Sequence, residues 1–157
     1  MKISFIVLAP TDEEYLKVGI KKYLDKVSNY YAIDYLELPA LKGIKNLSVE
    51  EQKNKEADFF LSKIKSGDHL ILLDENGKKM SSVKFANYLQ STFNRGMKNI
   101  VFLVGGPYGF GEKIYERAND KISLSEMTFS HQMIRLLFTE QLYRAASIIR
   151  GEKYHHQ

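Results

Sequence analysis

Cysteine is absent from the 157 residues, which excludes disulfide bridges, thiolate zinc sites and thiol nucleophiles. No apolar run approaches the length that spans a bilayer, about 20 residues. The opening Met1-Lys2-Ile3-Ser4-Phe5-Ile6-Val7-Leu8 superficially resembles a secretion signal. Its apolar part is too short for one and Asp12-Glu13-Glu14 follow at once, so it reads as the first strand of a cytoplasmic protein. Proline occurs only three times, and Pro10 and Pro39 each end an apolar run. Acidic residues are missing between Glu75 and Glu112, a stretch that carries Lys78, Lys79, Lys84, Arg95 and Lys98. Such a stretch suits a polyanionic partner and equally suits a solvated, lysine-rich face. What is present is ordinary for a soluble globular chain: 44% hydrophobic and 27% charged residues, with a net charge of +4. The length fits one domain, residues 1–157, with a sizeable core.

The hydrophobic pattern alternates between strand and helix. Lys2 to Ala9 reads as a buried strand. Thr11 is placed to cap a first helix, with Glu14 as its capping-box partner and Tyr15, Leu16, Ile20, Tyr23, Leu24 and Val27 on its apolar side. Ala32 to Leu38 forms a second strand. Ser48 and Glu51 make a capping box for a second helix that runs to about Lys65. His69 to Leu73 is a nearly continuous apolar strand, followed by a turn at Asp74–Lys78. Ser81 or Ser82 caps a third helix, closed by Gly96. Then come a strand at Asn99–Val104, a helical turn at Gly111–Ala118 and a short strand at Lys121–Leu124. The closing helix is capped by Ser130, runs to about Arg150 and stops at Gly151. This order predicts an α/β domain with a parallel sheet covered by helices on both faces. Ligands of such sheets bind beyond the C-terminal strand ends. That puts Leu73-Asp74, Val104-Gly105-Gly106 and Leu124-Ser125 on one rim.

The glycine cluster Gly105-Gly106-Pro107-Tyr108-Gly109-Phe110-Gly111 is not a phosphate loop. Gly106 and Gly111 have the right spacing, but Glu112 stands where the lysine belongs and would repel a triphosphate. The dinucleotide fingerprint is not met, since Ile114 follows Gly109 and Gly111, and a nucleophile elbow is missing. Two readings stay open: a cofactor held by backbone amides and carbonyls, or a tight strand-to-helix connection with no ligand. Leu124 to Phe129 is either a loop that reads an adenine edge or a connector whose Met127 and Phe129 fill core. His131 lies near a helix N-terminus, which disfavours imidazolium. A neutral, proton-accepting ring is therefore one reading, and a plain surface histidine the other. Ile134, Leu137, Phe138, Leu142, Ala145, Ile148 and Ile149 form an apolar band that Met133, Leu136 and Ala146 widen beyond the needs of one sheet face. The excess suggests a dimer interface. Glu140 and Arg144 are spaced to pair. Arg150, Lys153, Tyr154, His155 and His156 make a basic aromatic tail that can stack on a base, or fray as a terminus. No carboxylate or histidine set has metal-ligand spacing.

Together, Leu72-Leu73-Asp74, Val104-Gly105-Gly106-Pro107-Tyr108-Gly109, the run from Ser123 to Arg135, Glu140-Gln141-Leu142-Tyr143-Arg144-Ala145 and Arg150-Gly151-Glu152-Lys153-Tyr154-His155 resemble one family. It is the ribosomal RNA large subunit methyltransferase H family, the minimal SPOUT-class enzymes. The resemblance covers essentially the whole chain, and its C-terminal motifs are specific in combination. It implies a C-terminal trefoil knot, which no residue pattern reveals and which the general rarity of knots argues against. It also implies a homodimer, S-adenosylmethionine as methyl donor, and N3 of a pseudouridine in large-subunit ribosomal RNA as acceptor. A small protein of modest charge needs a large preformed surface to dock on, so assembled ribosomes are the expected substrate rather than short naked RNA. Matched residue by residue, the cofactor contacts fall on Leu73, Gly105, Leu124, Ser125, Glu126, Met127, Thr128 and Phe129. His131 is then a candidate base. Arg135 or Arg144 would stabilise charge on the ring oxygens or grip a phosphate. Tyr154 and His155 would position the base, from the partner subunit if the enzyme is a dimer. Where the family often has proline, this chain has Ser130, which keeps the cap and makes the loop less rigid. The competing readings are a non-catalytic RNA-binding module with a degenerate cofactor pocket and, more weakly, a nucleotide-binding enzyme, against which Glu112 counts.

Overall fold

A strand buried on both faces must be apolar throughout, and β1 (Lys2–Leu8), β4 (Asn99–Val104) and the first half of β3 (His69–Lys79) meet that demand. In the computed structural model, which describes residues 1–156, they form the middle of a five-stranded sheet. Its order is β2-β1-β4-β3-β5, with β2 at Ala32–Leu38 and β5 at Asp120–Ser123, and every pairing is parallel. Helices α1 (Glu14–Val27), α2 (Val49–Leu61), α3 (Ser82–Asn94), α4 (Glu112–Arg117) and α5 (Met133–Ile149) connect or follow the strands. Successive strand residues point to opposite faces, so β1 feeds two cores. Ile3, Phe5 and Val7 pack with Val27, Phe85, Phe138 and Leu142 of α1, α3 and α5. Ile6 and Leu8 pack with Ala57, Phe60 and Ile114 of α2 and α4. Phe138 anchors α5 on the sheet, its ring 4.9 Å from that of Phe5 and 4.7 Å from that of Phe102.

Most of the expected caps are present. Ser48 and Glu51 bond reciprocally. Ser81 accepts from the Lys84 amide, and Gly96 takes the left-handed conformation after α3, at φ +82°. Ser130 Oγ accepts from the Met133 amide at 3.0 Å. Thr11 is a correction. It is buried, and both its amide and its hydroxyl donate to the Glu37 carboxylate on β2, at 2.7 and 3.2 Å. The helix α1 therefore starts at Glu14 without a side-chain cap. The helix α2 ends at Leu61, short of the expected Lys65, and β5 starts one residue earlier than expected.

The more consequential difference lies in β3. The expected turn at 74–78 is an excursion inside one 11-residue strand. Leu73 pairs with Ile122 of β5 and so does Lys78, with the intervening residues looped out of the ladder. Gly77 permits this close approach, since a Cβ there would lie 2.5 Å from the Ile122 carbonyl carbon.

Candidate functional site

Three loops leave the C-terminal end of the sheet and converge, as expected for a doubly wound fold. They are the β3 excursion, the glycine turn after β4 and the loop from Ser123 to Ser130. With His131 and Ile134 they enclose a cavity of about 680 Å³. The walls are tied to each other. The Gly109 amide donates to the Gly106 carbonyl at 3.0 Å, closing a turn with Pro107 and Tyr108 at its corners, and Gly109 leaves it in the left-handed conformation, at φ +82°. The Ser123 hydroxyl donates to the Ser125 carbonyl and the Ser125 hydroxyl accepts from the Met127 amide, at 2.8 and 2.9 Å. Thr128 donates to Glu75 at 3.2 Å, and the Tyr115 hydroxyl donates to Asp74, joining the loops across the rim. Burial and the Asp74 carboxylate push the Tyr115 phenol well above its usual range, so it stays a donor.

Of the eight residues expected to hold a cofactor, Leu73, Gly105, Leu124, Ser125, Met127, Thr128 and Phe129 line this cavity. Glu126 does not; its carboxylate pairs with Lys79 at 3.1 Å. Met127 is 78% exposed and Phe129 37%, so neither fills core. At Gly105 a Cβ would meet Gly109 at 3.2 Å, so the wall there is bare main chain.

His131 borders the same cavity. Burial, and then the Arg135 guanidinium, lower its pKa below the ordinary imidazole value. The ring is therefore a neutral proton acceptor at neutral pH, through desolvation more than through the helix end. Arg135 itself is a correction. It is fully buried, and its guanidinium donates to the carbonyls of Leu8, Ala9 and His131 and to the Thr11 hydroxyl. A side chain so engaged cannot touch RNA; it pins the end of β1 to the start of α5.

The remaining candidates sit together elsewhere. Arg144 holds Glu140 through Nε and Nη2 at 3.1 and 2.6 Å, and its Nη1 lies 3.2 Å from His155 Nδ1. Tyr154 donates to the same Glu140 oxygen at 3.0 Å, and its ring lies 4.7 Å beneath the Arg144 guanidinium. The tail is thus folded onto α5 rather than frayed. None of these residues lines the cavity.

Comparison with known proteins decides the class. Residues 1–155 match the family model described as Predicted SPOUT methyltransferase. The chain belongs to the SPOUT methyltransferase family. Its relatives include proteins named Ribosomal RNA large subunit methyltransferase H from Flavobacterium johnsoniae, 52% identical, Christiangramia forsetii, 48%, and Parabacteroides distasonis, 47%. Each alignment covers 100% of both chains.

Sequence reasoning did not find three residues that shape this methyltransferase's rim. Gly77 lets the β3 excursion close on β5, and the Asn76-Gly77 pair was its only signal. Tyr115 ties α4 to Asp74. Glu56 on α2 is only 6% exposed, an acid where the helix pattern predicts a core face, and it lies under Gly106.

Proposed function

We propose that this methyltransferase transfers a methyl group from S-adenosylmethionine to N3 of a pseudouridine in large-subunit ribosomal RNA. It works as a homodimer in the cytoplasm, on the assembled particle. The observation that carries the reading is one cavity walled by the main chain of three strand-end loops, with a neutral histidine at its edge. The fit to the donor rests on space and donor type. At Gly105 and Gly106 a Cβ would run into Gly109 and the Glu56 carboxylate, so this turn presents main chain to the cavity. The loop from Leu124 to Phe129 offers amides and carbonyls to an adenine edge beside the Leu73 and Leu124 side chains. S-adenosylmethionine, when bound there, supplies a methyl group already activated by its positive sulfur.

What the chain must add is alignment and the removal of one proton. His131 accepts the N3 proton of the base, and its depressed pKa keeps it free to do so. Arg135 holds the His131 carbonyl and so fixes where the ring stands. Glu140 orders Arg144 and Tyr154, which stabilise charge on the ring oxygens and position the nucleotide. Arg144 follows His131 by 13 residues along the closing helix, a separation of roughly 20 Å at 1.5 Å per residue. Within one chain that is too far for a shared base. A second copy packed on α5 would bring one chain's tail to the other's cavity, which supports the homodimer. The C-terminal trefoil knot that the family resemblance implies is part of the same proposal.

The test is mass mapping of large-subunit RNA from cells with and without this gene. One methylated pseudouridine should be lost and should return with the intact gene; an unchanged methylation map overturns the reading. Calorimetry with S-adenosylmethionine alone separates the enzyme from a non-catalytic RNA-binding module, which would take up none.

A further inference from the structure

A second cavity, of about 230 Å³, lies on the other side of the Gly106-Pro107-Tyr108 turn. Leu8, Leu41, Ile44 and Pro107 give it apolar walls, and Glu56, His131 and Tyr108 bring ionisable groups to it. Of these, His131 and Tyr108 also border the donor cavity, so they stand where the two spaces meet. Glu56 is 6% exposed, yet among the described residues no hydrogen bond or cation offsets its burial, which pushes its carboxyl pKa up. Among the described residues no sealed side-chain oxygen lacks a partner, so the Glu56 oxygens keep an opening, and the space they border is this cavity. Its carboxylate also packs under Gly106, where a Cβ would come within 2.9 Å of Oε2.

An acceptor that opens onto this cavity is free to take a donor from whatever binds there, and a ligand that brought none would leave it unpaired at a cost. A cavity of this size with apolar walls and a carboxyl acceptor has room for one base that carries an N–H at its edge. Pseudouridine is such a base. Being joined to the sugar through carbon, it keeps a second ring N–H, at N1, that uridine lacks. We propose that this second cavity receives the acceptor base and that the Glu56 carboxyl group accepts the N1–H, making Glu56 the residue that selects pseudouridine over uridine. The inference rests on the functional reading above and names the contact that gives it specificity. His131 at the junction faces N3 while Glu56 holds N1, so one ring orientation satisfies both. Protonated or ionised, the carboxyl group retains a C=O acceptor, so the selection does not depend on its charge.

The experiment uses large ribosomal particles from two strains, one with the target pseudouridine and one lacking the synthase that makes it. Methyl transfer to both is measured for the full-length protein and for Glu56→Met and Glu56→Gln. Glu56→Met fills the same space without an acceptor, and Glu56→Gln restores a carbonyl. The intact enzyme should favour the pseudouridine particle strongly. Glu56→Met should reduce the ratio of the two kcat/KM values at least tenfold, with Glu56→Gln between them, while the affinity for S-adenosylmethionine in calorimetry stays within twofold. A Glu56→Met enzyme that keeps the full ratio overturns the inference and leaves the functional reading standing. Equal rates of the intact enzyme on both particles overturn it as well. An intact enzyme inactive on both overturns the functional reading and the inference together. Should Glu56→Met fail to fold, Glu56→Ala, which also lacks an acceptor, decides by the same ratio, and an unchanged ratio overturns the inference.

Discussion

His131 and Arg135 lie one helical turn apart and have different work. The histidine is partly open to two cavities, and the arginine is sealed under β1. Replacing His131 by alanine should lower kcat at least a hundredfold, as for the loss of a general base. Calorimetry should find donor affinity unchanged within twofold. Because burial lowers the His131 pKa, the acid limb of the kcat/KM profile should fall below pH 6.5, with full activity at neutral pH. An acid limb centred above 7 would exclude this ring as the base. The unfolded chain binds a proton at this ring more readily than the folded one. The contribution of His131 to stability is therefore complete above about pH 6.5 and is lost as pH falls through its folded value. Arg135→Met removes donors from three backbone carbonyls and should cost about 3 kcal/mol or more in urea unfolding. A neutral His131 ring was one reading of its place near a helix start, and burial with the Arg135 charge is what lowers its pKa. The arginine's role was not legible, because the carbonyls it serves lie at the other end of the chain and nothing local to Arg135 announces them.

At the scale of elements, the strands and most helix ends were readable because each is specified locally. Ser48 with Glu51, Ser81 and Gly96 do within a few residues what their chemistry dictates. Thr11 has the same local chemistry and was misread, since Glu37 on a neighbouring strand competes for its hydroxyl and wins. The β3 excursion was misread as a strand end for a related reason. A Gly-containing turn and a bulge look alike until the partner strand is known. Gly77→Ala tests the excursion directly. The added methyl meets main chain of β5 that has nowhere to move, so stability should fall by about 1–3 kcal/mol. Donor affinity should fall at least tenfold as the Asp74–Asn76 wall shifts. Thermal melts and calorimetry on the same preparation check both.

At the scale of the molecule, the alternation of strands and helices predicted the parallel sheet and the shared rim, because period and order are written along the chain. The distribution of site residues was not legible. The sequence places Arg144, Tyr154 and His155 near His131 in number, while the straight α5 carries them away from its cavity. If two copies complete each other's sites, His131→Ala and Tyr154→Ala proteins should each be inactive alone. Unfolded and refolded together, they should recover about a quarter of normal activity, since half of the random pairs hold one intact site. No recovery, with mixed dimers present by native mass spectrometry, would mean that each chain works alone. The Arg135 anchor has a further consequence. Its bond to the Leu8 carbonyl joins positions 127 apart. The link that holds the end of β1 against the start of α5, beside His131, is therefore unfinished while a ribosome is still making the protein. A product released early carries the first strand and the glycine turn but cannot grip its donor, so premature termination leaves an inert fragment rather than a careless enzyme.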